Sequence, residues 1–151
     1  MKNDLIKLLL SMLSIVLLAA LEEMLPKVLG VGFPLLLALT VLIAPRSTIT
    51  SALLIAVASG AFEDSLSSLP FATSMIFFAL AAIISRKALF PYGVLFMAYP
   101  MYQLWLTLWV PSIGGAIFGR IMNAGIIGFF AMLIIERLLI WLERRLLPDE
   151  V

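Results

Sequence analysis

The chain has 151 residues, of which 64% are apolar and only 13% are charged, with a mean hydropathy of +1.17. Soluble domains contain about 45–50% apolar and about 25% charged residues, so this composition excludes an ordinary soluble fold. The net charge of +1 provides no field that would gather nucleic acid or an acidic substrate. Cysteine and histidine are absent, which excludes disulfides, thiolate nucleophiles, the usual zinc sites and imidazole acid-base chemistry.

Six apolar stretches lie between the charges, prolines and turn residues. In chain order they are 5–21, 28–44, 48–62, 69–85, 88–110 and 113–135. A membrane-spanning helix needs about 20 apolar residues, so the sequence predicts an all-α integral membrane protein with six transmembrane helices in one domain, 1–151. A tight hairpin is expected at Pro45-Arg46-Ser47, because proline disfavours helix at the residue before it. The third stretch is short for a bilayer.

The two ends of the chain carry their own signals. The first apolar run, Leu8 to Leu21, follows Lys2 and Lys7 and has an alternative interpretation as a signal peptide, with the small residues Ala19-Ala20 near its end. In residues 136–147, charges recur seven positions apart, opposite leucines and Trp141. This pattern predicts that the last span runs out into an amphipathic helix end at the membrane interface.

Basic residues predict the orientation, because cytoplasmic loops retain Lys and Arg. With six spans, one side of the membrane holds eight of the ten basic residues: Lys2, Lys7, Arg46, Arg86, Lys87, Arg137, Arg144 and Arg145. The opposite side holds only Lys27 and Arg120. We therefore expect both termini to be cytoplasmic.

Small residues recur every four positions in two of the predicted spans. Ala52, Ala56 and Gly60 form one smooth face on the third span, and Gly115 and Gly119 repeat the spacing in the sixth. Such faces let another helix backbone approach closely. Packing within the bundle is the simpler interpretation, and homodimerisation or a partner helix is the alternative.

Polar residues within the predicted spans are few, and Gln103 and Asn123 are the clearest. Hydrogen bonding between helices is the favoured interpretation for both. The spans contain no series of carboxylates spaced for a proton relay. The sequence therefore predicts no catalytic residues, no metal site and no cofactor.

The most specific stretch is 60–72, which follows the third span. Asp64 or Ser65 can cap the helix that follows, and Pro70 suits the first turn of the fourth span. Successive residues on a helix diverge by about 100°, so Glu63 and Asp64 are not expected to share a proton or a metal ion.

This stretch resembles the end of the third span in the rod shape-determining protein MreD family. There, a glycine is followed by an aspartate, a Leu-Ser-Gly-like turn and Pro-Leu-Gly. Asp64, Leu66, Ser67 and Pro70 fall on this pattern at matching spacing.

Three positions depart from the family pattern. Ser68 and Ala72 stand where the family tends to have glycine, and Phe71 stands where it tends to have leucine. The chain is therefore similar to a divergent member of the family.

The resemblance implies a multi-pass protein of the bacterial inner membrane whose fold is similar to the S components of energy-coupling-factor transporters. It implies a non-enzymatic part of the cell-elongation machinery, or elongasome, which determines cell shape through peptidoglycan synthesis. The implied partners, besides membrane lipid, are an MreC-like protein, MreB, RodA and a class B penicillin-binding protein. Glu63, Asp64 and Pro70 are the candidates for a loop or cavity that meets a partner.

A different class of function shares the six-span plan. In this alternative the chain is a small-molecule-binding S component of a vitamin or micronutrient transporter, and its outer acidic turn meets a cationic ligand. The first span lacks the alanine-xxx-alanine pattern that S components often use for docking, and few convergent polar groups are visible. A third hypothesis is an unrelated membrane protein whose turn matches the family by coincidence.

Overall fold

The structure is a computed structural model that describes residues 2–29, 35–88, 91–109, 122, 126, 129–130 and 133–141. All regular structure in these residues is helical, which confirms the prediction of an all-α protein. The helices are α1 (Lys2–Leu29), α2 (Leu35–Ile43), α3 (Ile49–Leu66), α4 (Thr73–Lys87) and α5 (Pro91–Trp109). A 3₁₀ turn occupies Ala44–Arg46, and residues 133–141 are also helical.

The short helix α2 lies at the centre of the described bundle. All nine of its residues are buried, and it packs against α1, α3, α4 and α5. Eight of the nine are apolar, so the helix has no polar side to turn outward. Thr40 is the exception, and its hydroxyl donates to the Leu36 carbonyl at 2.9 Å, which satisfies it inside the helix.

The first helix is longer than the first predicted span, 5–21. Helix α1 continues through Glu22, Glu23 and Pro26 to Leu29. The predicted boundary followed hydropathy, which reports where a segment could leave a membrane. Glutamate is a good helix former, so the backbone continues past the point where the charges begin.

The predicted hairpin between the second and third stretches is confirmed. Ala44–Arg46 forms the 3₁₀ turn, Ser47 is extended, and Thr48 is the N-cap of α3. The Thr48 hydroxyl accepts a hydrogen bond from the Ser51 backbone N–H at 3.3 Å, as N-cap residues do.

Two further boundaries differ from the prediction. Helix α3 runs four residues beyond the predicted end at residue 62, so Glu63 and Asp64 lie inside the helix. Helix α4 begins at Thr73 rather than at residue 69, and Pro70 lies in the turn before it rather than in its first turn. Both carboxylates find partners in the interior, which lets the helix extend past them.

The sixth predicted span, 113–135, lies largely outside the described residues, and so do Gly115, Gly119 and Asn123. Within the described ranges, α3 is the one helix that length and composition qualify to cross a membrane. Buried helices of soluble proteins can meet the same criterion. Six spans and cytoplasmic termini therefore stay predictions.

Charged residues segregate to the two ends of α2. At its C-terminal end, Arg86 donates to the backbone carbonyls of Ala44, at 3.1 Å, and Ser47. At its N-terminal end, the Glu22 carboxylate accepts a hydrogen bond from the Leu36 N–H at 3.1 Å. An acid at the N-terminus and a base at the C-terminus both complement the helix dipole.

Candidate functional site

Helix α3 meets α4 at the small-residue face predicted from the sequence. Ala52, Ala56 and Gly60 are all buried. A Cβ atom on Gly60 would lie 2.5 Å from the Met75 Cα and 2.8 Å from the Ser74 carbonyl carbon. The two backbones therefore touch at a position that only glycine allows.

Asp64 caps the start of α4, as the sequence predicts. Its Oδ1 accepts a hydrogen bond from the Ser74 N–H at 2.7 Å, although Asp64 belongs to the preceding helix. The N-cap residue of α4 is Ala72, whose side chain has no acceptor. Asp64 therefore supplies the oxygen that an N-cap side chain usually provides. Ser65, the other predicted cap, donates instead to the Ala61 carbonyl at 2.8 Å.

The turn between α3 and α4 contains two residues in the left-handed region, Ser68 with φ 51° and Ala72 with φ 68°. Glycine is the residue that adopts this region without steric penalty. Pro70 follows the first of them, and its carbonyl accepts from the N–H of Thr73 at 3.2 Å and from its hydroxyl at 2.8 Å.

We expect Ala72→Gly to stabilise the protein by about 1 kcal/mol, because the substitution removes the left-handed penalty of a residue with a Cβ atom. The apparent melting temperature of the purified protein measures the effect. The control is Ala79→Gly within α4, where the same substitution is expected to cost about 1 kcal/mol. A loss of stability in Ala72→Gly would contradict the turn geometry.

Glu63 points away from Asp64, toward α1 and α5. Its Oε1 accepts a hydrogen bond from the Ser67 hydroxyl at 3.2 Å. Its carboxyl group also meets that of Glu22 in hydrogen-bonding contact, and it faces the Tyr102 hydroxyl. The two acidic neighbours therefore have different partners, in agreement with the expectation that they do not share one proton.

Helix α5 completes the site with two hydrogen bonds. The Tyr102 hydroxyl and the Ser74 hydroxyl lie 2.6 Å apart, and the Trp105 indole N–H donates to the Thr73 carbonyl at 2.9 Å. We call Glu22, Glu63, Asp64, Ser74 and Tyr102 the polar cluster. It joins α1, α3, α4 and α5 at the N-terminal end of α2.

In the polar cluster and at the neighbouring Ser59, three buried oxygen atoms have no hydrogen-bond partner among the described residues. They are the Ser59 Oγ, the Glu63 Oε2 and the Asp64 Oδ2. Glu63 and Asp64 are each 7% exposed, and Ser59 is fully buried one helical turn before Glu63. Buried polar atoms normally have hydrogen-bond partners, so these three atoms mark the least satisfied part of the described interior.

Across the described part of the chain, no group of three metal-binding side chains lies close together. The carboxylates of Glu63 and Asp64 accept hydrogen bonds from different residues, Ser67 and Ser74. The hydrogen bonds of the cluster can therefore hold helices together.

The accessible surface of the site lies beside the buried acids. Phe71 is 90% exposed at the tip of the turn, and Pro70 next to it is also exposed. Of the three predicted contact residues, Glu63 and Asp64 are thus interior and Pro70 is on the surface. Gln103, a polar residue within the fifth predicted span, is partly buried and does not belong to the polar cluster.

The sequence does not single out Glu22, Ser74 or Tyr102. Glu22 directly follows the first predicted span, and Ser74 and Tyr102 lie inside apolar stretches. The predicted topology contained a usable signal, because it places the ends of spans one, three and five and the start of span four on one side. Polar residues at those four positions are then expected to lie close together at one end of the bundle.

No family model, no curated protein and no solved structure matches the chain.

Proposed function

We propose that this chain is a multi-pass protein of the bacterial inner membrane that acts in cell elongation by binding partner proteins, without catalysing a reaction. The observation that carries the proposal is the turn between α3 and α4. Ser68 and Ala72 adopt positive φ, and these are the two positions where the MreD pattern tends to have glycine. If the match in residue types were a coincidence, these two positions would not be expected to adopt the positive φ that favours glycine.

The other positions of the pattern also have structural roles. Gly60 stands at the contact with the α4 backbone, and Asp64 caps that helix. The Pro70 carbonyl anchors Thr73. The pattern thus encodes one way of joining the third helix to the fourth, which favours a shared architecture.

A membrane location is supported by the outer surface of the bundle. Large apolar side chains are more than half exposed on several helices, including Leu13, Leu17, Leu80, Ile84, Phe96 and Met101. Soluble monomers rarely expose apolar patches of more than a few hundred Å², so lipid is the natural neighbour of this surface. The basic Arg46 and Arg86 lie at the opposite end from the acids of the polar cluster, in agreement with the predicted orientation.

The proposed partners are an MreC-like protein and, through it, MreB, RodA and a class B penicillin-binding protein. Phe71 is the strongest candidate for a partner contact, because it is an aromatic side chain at the tip of an otherwise well-anchored turn. Exposed aromatic residues frequently dominate the binding energy of an interface.

The test is co-expression of the tagged full chain with the MreC-like protein of the same bacterium, followed by purification in detergent. We expect the two proteins to co-purify, and we expect Phe71→Ala to reduce the recovered partner about fivefold or more, the effect of losing more than 1 kcal/mol at an interface. Phe96→Ala, which truncates an exposed aromatic residue on α5, is the matched control and should leave recovery unchanged.

Two outcomes would contradict the proposal. The first is the absence of any complex with an MreC-like protein or RodA, together with normal rod shape after deletion of the gene. The second is a small molecule that co-purifies in stoichiometric amount with the chain alone, which would favour the transporter alternative.

A further inference from the structure

The pair formed by Glu22 and Glu63 joins three helices. Glu22 lies on α1 and holds the N-terminus of α2 through the Leu36 N–H, at 3.1 Å. Glu63 lies on α3 and meets the Glu22 carboxyl group in hydrogen-bonding contact. The contact between the two side chains is therefore a direct link between α1 and α3.

Hydrogen-bond accounting shows that this link requires a proton. An ionised carboxylate only accepts hydrogen bonds, so two ionised carboxylates cannot bond to each other. The Glu63 Oε1 accepts from Ser67, but the Glu63 Oε2 is buried and has no donor among the described residues. The nearby Ser59 hydroxyl is also buried without a partner. One proton held between the two carboxyl groups supplies the missing donor.

Among the described residues, no cation takes the place of this proton. The titratable groups of these residues that face the pair are Asp64 on α3 and Tyr99 and Tyr102 on α5. Helix α2 contributes backbone N–H groups, and α4 contributes the neutral Ser74 hydroxyl through Tyr102. Across the described parts of the chain, the structure shows no ion pair to Glu22 or Glu63.

We propose that Glu22 and Glu63 form a proton-binding site, in which one proton shared by the two carboxyl groups fastens α1 to α3. When the proton leaves, two negative charges face each other and α1 loosens from the bundle. In the orientation predicted from the basic residues, the site lies at the external end of the protein, so it responds to the pH outside the cytoplasmic membrane.

The sign of the pH dependence follows from counting protons. A glutamate in the unfolded chain releases its proton near pH 4.3. Above that pH the folded pair binds one proton more than the unfolded chain, so stability falls as the pH rises. The folding equilibrium constant drops by up to about tenfold per pH unit and levels off once the pair is fully ionised.

Infrared spectroscopy of the purified full chain in detergent tests the site directly. At pH 7 we expect one carbonyl band from a protonated carboxyl group, shifted by exchange into D₂O. The band should disappear in Glu22→Gln and in Glu63→Gln, because each variant replaces the shared proton with a permanent amide donor. Glu23→Gln, which changes the exposed glutamate next to Glu22, is the matched control and should keep the band.

Stability against pH gives the second measurement. The wild type and Glu23→Gln should lose stability between pH 5 and pH 9, whereas Glu22→Gln and Glu63→Gln should show a flatter profile. Absence of the band in the wild type at pH 7, or its persistence in both pair variants, would overturn the proposal. Selective stabilisation of the wild type by NaCl over KCl, without the band, would show that a sodium ion and not a proton occupies the pair.

The inference rests on the geometry of the pair and not on the proposed role in cell elongation. A chain that binds no MreC-like protein would still show the band. A chain that lacks the band could still bind its partner. A negative result in the infrared experiment therefore does not contradict the proposed function, and a negative result in the co-purification does not contradict the proton site.

Discussion

Gly60→Ala is expected to destabilise the protein by about 3 kcal/mol or more, at the upper end of the range for overpacked sites. The added Cβ would lie within 2.8 Å of three backbone atoms of α4, at Ser74 and Met75. A side chain could rotate away from such a clash, but a backbone can move only if the two helices separate. Separation would also pull the Ser74 N–H away from Asp64.

The yield of monodisperse protein and the apparent melting temperature measure this effect. Gly93→Ala in α5 is the matched control, because a Cβ there meets no atom within 4 Å. That control is expected to be neutral or slightly stabilising, since alanine favours helix over glycine. Equal stability of Gly60→Ala and Gly93→Ala would show that α3 and α4 are farther apart than the structure places them.

The face of α3 that a neighbouring helix approaches closely could be predicted because its cause is local in sequence. Ala52, Ala56 and Gly60 share a helical face by spacing alone, and the absence of large side chains there has one physical consequence, close approach. The partner of that face could not be predicted in the same way. Any neighbouring helix would have satisfied the pattern.

The helix boundaries were predicted less well because hydropathy and helicity end at different residues. Charges at Glu22 and Glu63 mark where a chain could meet water, yet both helices continue through them. The turn before α4 is the opposite case. Its apolar residues look helical by composition, but positive φ at Ser68 and Ala72 interrupts the helix there.

The pairing of Glu22 with Glu63 depends on tertiary structure, so the sequence alone could not reveal it. The two residues are 41 positions apart, and each had a sufficient local explanation as a charge in an external loop. Burial changes the chemistry, because an exposed glutamate is solvated by water whereas a buried one must find a donor or keep a proton. The site was therefore predicted as a loop or cavity that meets a partner, and its two acids are found at an interior junction of helices.

Arg86→Met is expected to destabilise the protein by about 2 kcal/mol. This value lies in the lower part of the range for hydrogen bonds that involve a charged group, because Arg86 is exposed. Arg86 donates to the carbonyls of Ala44 and Ser47, which follow α2 directly. The adjacent Ser85 hydroxyl donates to the Val41 carbonyl at 2.7 Å and remains in the variant. The C-terminal end of α2 should therefore loosen without detaching.

The apparent melting temperature and hydrogen exchange at residues 41–48 measure this loosening. Lys87→Met removes the same charge from the next residue, which is exposed, and should stay within about 0.5 kcal/mol of the wild type. Equal losses in the two variants would mean that net charge at this end, rather than the Arg86 contacts, sets the stability. A loss confined to Arg86→Met would show that the turn after the fully buried α2 depends on α4 to satisfy its carbonyl groups.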